Sequence, residues 1–143
     1  MASNRMKKTD LRKQVFEAIS ACQEKKADEV SVLELEKGSG AFTDYFVVCS
    51  GTNPRQVQAI SDEVELRLKR AGVYPHSIEG YKQAEWVLLD YVDFVVHIFS
   101  QAARRYYDLE RLWKSAKKLE LADLPAKTRR RKLPAARPTR KRA

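Results

Sequence analysis

The period of the apolar positions changes several times along this chain, and each change marks an element. Between residues 9 and 24, Leu11, Val15, Ile19 and Cys22 recur at helical spacing, and Phe16 and Ala18 widen the stripe. Thr9 is placed to cap this helix, and Asp10 lies in its first turn. Over residues 29–35 the pattern becomes alternating, with Val30, Val32 and Leu35 set against Glu29, Ser31 and Glu34, which predicts a half-buried strand. After a loop at Lys37-Gly38-Ser39-Gly40, residues 43–49 form a more fully apolar run, expected to be a central strand. Ser50-Gly51-Thr52-Asn53-Pro54 then turns the chain into a second helix. Thr52 or Asn53 is its cap, and Pro54 takes the first helical position, where its missing N–H costs nothing. That helix is expected to reach Ala71, with Val57, Ile60, Val64 and Leu68 on one stripe and Gly72 as the stop.

Pro75 restricts residues 73–80 to a short edge strand. The most apolar stretch follows, Glu85 to Phe99, rich in β-branched and aromatic residues and interrupted once between Asp90 and Asp93. It predicts a hairpin of strands 86–91 and 94–99. Both halves are apolar on both faces, so the hairpin is expected inside a sheet covered on both sides, with the two acids at the rim next to Trp86. A last helix is expected over 101–116, with Tyr106, Leu109, Trp113 and Ala116 as its stripe, fraying into a linker over 118–124. Helix, strand, strand, helix, short strand, strand, strand, helix is the order of an α/β domain with a mixed β-sheet flanked by helices.

Charge adds a second region. The formal net charge is +9, but residues 122–143 hold nine Lys or Arg and one acid, leaving 19 basic and 18 acidic residues in 1–121. The organisation expected is therefore a nearly neutral domain over 1–121 and a basic tail over 122–143. The tail contains Pro125, Pro134, Pro138 and the run Arg129-Arg130-Arg131-Lys132, with no period that could bury a face. It reads as disordered when free, and such tails bind phosphate backbones without sequence preference. No apolar run is long enough to span a bilayer, and Met1 to Lys8 has no signal-peptide core, so a cytoplasmic protein without membrane contact is expected. Cys22 and Cys49 stand apart in sequence and read as two buried, reduced thiols.

Reactive constellations are sparse. His76 follows Pro75 near an edge, and His97 alternates with Val95 and Phe99 on one strand face, where a hydrogen-bonded, partly buried histidine is the ordinary outcome. No Cys or His pair has metal-site spacing, and no cofactor motif is present. Ser50-Gly51 before a helix resembles the turn used in nucleotidyl transfer, but that chemistry needs two acids one residue apart on a strand to hold metal. Asp90 and Asp93 are three apart across a turn, so an enzyme is not expected. The Ser50-Gly51-Thr52 turn reads as a capped turn, with anion binding as the alternative. What remains is a surface: Trp86 beside acids can anchor a basic partner, although Trp86 as plain core is equally consistent with the pattern.

Several separate motifs, in order, resemble those of the ribosomal silencing factors, also called the Iojap family. They are Thr43-Asp44-Tyr45-Phe46-Val47-Val48-Cys49-Ser50-Gly51-Thr52, Arg55-Gln56-Val57-Gln58-Ala59-Ile60, Glu79-Gly80, Trp86-Val87-Leu88-Leu89-Asp90-Tyr91, Asp93 with Val95-Val96-His97-Ile98-Phe99, and Arg105-Tyr106-Tyr107-Asp108-Leu109-Glu110-Arg111-Leu112-Trp113. The resemblance spans roughly residues 8–119. It implies a nucleotidyltransferase-like fold without the catalytic acids. It also implies binding to the large ribosomal subunit through ribosomal protein fourteen of that subunit, steric blocking of small-subunit joining, and repression of translation. Relatives in organelles take part in large-subunit assembly. Carried over, Glu79, Trp86, Asp90, Tyr91 and Asp93 become candidates for the partner-facing surface, with Arg55 a further one. The basic tail after Leu121 is not part of the shared motifs; its run Arg129, Arg130, Arg131 and Lys132 supplies, on composition, separate candidates for contact with ribosomal RNA. A free homodimer through the edge near Pro75 stays open. So do two other classes, a general RNA-binding assembly factor and a residual nucleotide-binding domain. The family usually has Gly where Val92 stands, so the turn that places Asp93 is expected to be reshaped.

Overall fold

A computed structural model of the chain describes residues 8–36, 42–113 and 116–119. The elements are α1 (Lys8–Glu24), β1 (Asp28–Glu34), β2 (Tyr45–Gly51), α2 (Pro54–Arg70), β3 (Ser77–Glu79), β4 (Trp86–Asp90), β5 (Phe94–Ser100), α3 (Gln101–Tyr107), α4 (Leu109–Leu112) and β6 (Lys117–Leu119). The strands form one mixed sheet in the order β3-β4-β5-β2-β1-β6. At its centre β2 and β5 run parallel, from Tyr45 beside Phe94 to Gly51 beside Ser100, and the other pairs are antiparallel. The expected mixed α/β architecture is therefore present.

The two faces of the sheet are covered unequally. On one, α1 and α2 lay Leu11, Val15, Ile19, Val57, Ile60, Val64 and Leu68 onto Val32, Tyr45, Val47, Cys49, Val87, Leu89, Val96 and Ile98. These are the helical stripes expected from the periodicity. On the other, Leu33, Phe46, Val48, Val95 and Phe99 meet the much shorter α3–α4 segment through Ala103 and Leu109, with Trp113 and Ala116 beside them. The central pair β2 and β5 is buried almost throughout, as the doubly apolar runs imply, whereas β4 alternates, with Val87 and Leu89 buried and Trp86, Leu88 and Asp90 partly open. The expectation that the whole hairpin is covered on both sides thus holds for β5 and not for β4.

The turn into α2 follows its sequence. Asn53 is the N-cap and accepts from the Gln56 N–H at 2.8 Å, and Pro54 opens the helix. Gln56 closes the turn, since its Oε1 accepts from Thr52 N at 2.7 Å while its Nε2 donates to the carbonyls of Lys25 and Lys26 at the end of α1. The free N–H groups that an anion would need are in part already used here.

Three expectations need correction. The last helix does not run over 101–116: Asp108 adopts φ 47°, ending α3 and starting the single turn α4. Asp tolerates the left-handed region better than most residues, and the reversal lets Glu110 return to Arg104, with Nη2 donating at 3.0 Å. Tyr106 leaves the expected stripe and is exposed. Residues 118 and 119, expected in the linker, belong with Lys117 to β6, which pairs with Val32, Leu33 and Glu34 and covers the outer edge of β1. Nor does β1 alternate: Ser31, Val32 and Leu33 are all buried while Glu29 is exposed, and the Ser31 hydroxyl donates to Glu110 at 2.9 Å. Cys22 and Cys49 are both free and buried as expected, yet not isolated, because their Sγ atoms lie 3.7 Å apart between α1 and β2. The loop at Lys37–Gly40 and the tail from 120 onward lie outside the described residues.

Two positions with positive φ can be probed by single substitutions, one strained and one that requires glycine. Val92 holds φ 72° in the β4–β5 turn. Its N–H donates to Asp90 Oδ1 at 2.8 Å, and Asp93 N donates to Tyr91 O at 2.8 Å. A β-branched residue pays about 1–2 kcal/mol in this region, so Val92→Gly is expected to stabilise the fold by about 1 kcal/mol in urea denaturation. At Gly80 (φ +81°) an added Cβ would lie 2.1 Å from the Trp86 carbonyl oxygen. Gly80→Ala is expected to destabilise by well over about 1 kcal/mol, read as a lowered Tm.

Candidate functional site

The open face of the sheet is read from strand alternation and register. One row across it joins Glu79, Leu88, His97, Val48 and Ser31. A second joins Asp90, Val95, Phe46 and Leu33, and a third joins Trp86, Phe99 and Ser50. Glu79, Trp86 and Asp90, three of the residues singled out by motif, therefore share one face.

The other sequence candidates are distributed differently. Trp86 and Asp90 stand at opposite ends of β4, about 13 Å apart at ordinary strand rise, so the acids of the turn are not next to Trp86 as expected. The physical reason is the strand itself, which separates first and last residues however close they lie in a motif. Tyr91 points to the helix-covered side; it is buried and stacks on Phe94 with centroids 4.9 Å apart. Burial, with the charge of Glu65 adding to it, pushes its hydroxyl well above the ordinary range. Asp93 is held in the turn, its carbonyl accepting from Asp44 N at 3.0 Å. Arg55 is exposed in the first turn of α2, beyond the carboxyl end of β2 and at the other end of the sheet from Asp93. Arg129, Arg130, Arg131 and Lys132 lie outside the described residues.

A groove of about 660 Å³ lies on this face, lined by Phe42, Phe46, Leu88, Val95 and Trp113 as apolar walls and by Thr43, His76, Asp90, Val92 and His97. Phe42 is fully exposed at its margin. Motif reasoning did not single out Phe42, Leu88 or His97 as site residues. The signal for Leu88 was present in the alternation of β4, but which face stays open depends on the short reach of α3 and α4.

His97 forms part of the groove floor and is 4% exposed. Its Nδ1 accepts from Trp86 Nε1–H at 3.0 Å, and Phe46 meets its ring edge-on at 4.6 Å. Trp86 is thereby fixed between His97, Phe99 (4.9 Å) and Tyr107 (4.7 Å), half core and half surface. Burial lowers the His97 pKa from the ordinary 6.5 to about 3.

A second, polar hollow is lined by Asp28, Glu29, Ser50, Gln101, Arg104 and Arg105 at the carboxyl ends of β2 and β5. Arg104 is buried there. Burial alone would raise Glu110, but hydrogen bonds from Arg104 and Ser31 and the Arg104 charge hold it below the usual carboxylate range. Among the described residues, no three His, Cys, Asp or Glu side chains gather as metal ligands, and no helix is long and apolar enough to cross a membrane.

Fold and groove together define a small α/β domain with one helix-covered face and one face that carries an open, largely apolar groove. Comparison with known proteins makes this specific. The sequence model of the family described as "Ribosomal silencing factor during starvation" matches residues 8–143. A ribosomal silencing factor of Halalkalibacterium halodurans is 42% identical over 104 residues, 73% of this chain and 88% of the relative. A crystal structure of a Chromobacterium violaceum protein superposes with a TM-score of 0.69 at 34% identity, covering 85% of this chain and 98% of the other. More distantly, a mouse protein named "Mitochondrial assembly of ribosomal large subunit protein 1" is 29% identical over 99 residues, 66% of this chain and 42% of its own length. The chain belongs to the ribosomal silencing factor family.

The buried histidine gives a pH prediction. Between pH 6.5 and about 3 the unfolded chain binds a proton at His97 that the folded chain does not. Its contribution is therefore complete above pH 6.5 and is lost as pH falls, by up to about 1.4 kcal/mol per pH unit. His97→Phe is expected to flatten the acid side of the stability profile between pH 6.5 and 4.5. Denaturation midpoints across that range check it, and equal slopes would assign the acid sensitivity elsewhere.

Proposed function

We propose that this chain binds the large ribosomal subunit through ribosomal protein fourteen of that subunit, and that it represses translation by occupying the surface on which the small subunit must join. The observation that carries the reading is the open face: an apolar groove bordered by the exposed Phe42, with half-buried Trp86 and the acids Asp90 and Glu79 on the same side. A contiguous apolar patch with a charged margin is the signature of a protein-binding surface. The name of the mouse relative, which refers to assembly of the large subunit, supports the choice of subunit.

The mechanism is steric and needs no reaction at the site. A standard interface hides about 800 Å² per partner, enough to exclude a competitor for the same surface. The groove contributes the apolar anchor, and the acids select a basic partner and raise its rate of encounter. The basic run Arg129-Arg130-Arg131-Lys132 adds contacts to ribosomal RNA, as nine cations among residues 122–143 would on any phosphate backbone.

Sedimentation with isolated subunits tests the reading. The protein is expected to travel with the large subunit alone and to lower the joined fraction when both subunits are present. Equal travel with both subunits and undisturbed joining would leave only a generic RNA binder. Phe42→Ala and Trp86→Ala are each expected to weaken large-subunit binding by more than about 1 kcal/mol, with thermal melting confirming that the variants fold. Deletion of residues 125–143 is expected to reduce affinity and flatten its dependence on salt; an unchanged slope would remove the tail from the interface.

A further inference from the structure

The groove floor holds a hydrogen-bond donor whose orientation follows from its neighbours. Trp86 Nε1 can only donate, so His97 Nδ1, 3.0 Å away, must accept. Burial keeps the imidazole neutral at physiological pH. A neutral ring that accepts at Nδ1 carries its one proton on Nε2. That Nε2 is buried and has no hydrogen-bond partner among the described residues, and His97 is one of the residues that line the groove. Thr43 Oγ1, a second lining residue's polar atom, is likewise buried without a partner. A buried donor left unpaired costs about 1–3 kcal/mol, so a bound partner that supplies an acceptor relieves that cost, and one that does not is penalised.

We infer that His97 is a specificity-determining residue of this face: its Nε2–H receives a neutral acceptor, a main-chain carbonyl, from an apolar peptide segment of the partner protein laid into the groove. The inference rests on the proposed binding to ribosomal protein fourteen and adds the chemistry of the contact. Three features of the groove select this occupant. Its walls, Phe46, Leu88, Val95 and Trp113, call for apolar side chains. Asp90, lining the same groove, repels a carboxylate or phosphate that would otherwise serve as acceptor. A cation has no acceptor to offer His97. A peptide carbonyl between apolar side chains satisfies all three.

Two substitutions separate this role from a structural one. In His97→Gln the amide nitrogen stands near the place of Nε2, keeping the donor to the groove and giving up the acceptor for Trp86. In His97→Asn the amide oxygen stands near Nδ1, keeping the acceptor for Trp86 and giving up the donor. Affinity for purified ribosomal protein fourteen is expected to stay within about threefold of wild type in His97→Gln and to fall about tenfold or more in His97→Asn, the scale of one lost hydrogen bond. The opposite order would mean that only the bond to Trp86 matters and would overturn the inference. The wild-type chain with ¹⁵N-labelled histidine gives a reading independent of any variant. The free protein should show the Nε2–H tautomer, and adding ribosomal protein fourteen should move that proton downfield and slow its exchange with water. An Nδ1–H tautomer, or an Nε2–H signal unmoved in the complex, overturns the inference while leaving the binding itself intact. Wild-type protein that fails to bind ribosomal protein fourteen removes the proposed function and this contact together. If His97→Asn weakens self-association of the free chain but not binding to ribosomal protein fourteen, the occupant is a second copy and the inference is wrong.

Discussion

The parallel pairing of β2 with β5 is the constraint on which the rest of the structure depends. Two adjacent strands, Tyr45–Gly51 and Phe94–Ser100, are buried along nearly their whole length. Parallel neighbours cannot be joined by a tight turn, so the intervening chain must cross over. Here it does so through α2, β3 and β4, which places α2 against one face and sets β4 antiparallel beside β5. Among the described residues, the helices packed on the other face are α3 and α4, with Phe42, Thr43 and His76 lining the groove beside them. Because α3 ends after seven residues at Asp108, α3 and α4 cover only part of that face. The open face is thus a product of connectivity, and the residues on it need be apolar only to the extent that something else covers them.

Much of this was legible in the residues. The stripes of α1 and α2, the Asn53-Pro54 start, the Gly72 stop and the edge position after Pro75 follow from local chemistry that tertiary packing does not override. The break at Asp108 was not legible, because its cause is an ion pair between Arg104 and Glu110, six residues apart around a left-handed residue, and a 3.6-residue period continues smoothly across it. β6 escaped for a related reason: three residues, Lys117 to Leu119, form a strand only because β1 offers an unpaired edge.

The site was legible in part. Alternation along β4 put Trp86, Leu88 and Asp90 on one side, and register confirms it. What alternation could not give is which side the helices cover, nor that the next residue, Tyr91, turns inward onto Phe94. His97 shows the limit most clearly. As a lone strand histidine it reads as an ordinary buried residue, which it is; its meaning comes from Trp86, eleven residues earlier and across a hairpin, which fixes the ring's tautomer.

The sulfur contact between α1 and β2 has a practical consequence. Cys22 and Cys49 are both inaccessible, and the hydrogen bond to Cys22 together with burial pushes the Cys49 thiol up, away from the reactive thiolate. An alkylating reagent therefore reacts with this core only after the helix has lifted from the sheet or the domain has opened. The native chain carries its own unfolding clock: the rate at which its thiols become labelled counts the openings of the helix-covered face, without any probe being added to the groove on the other side.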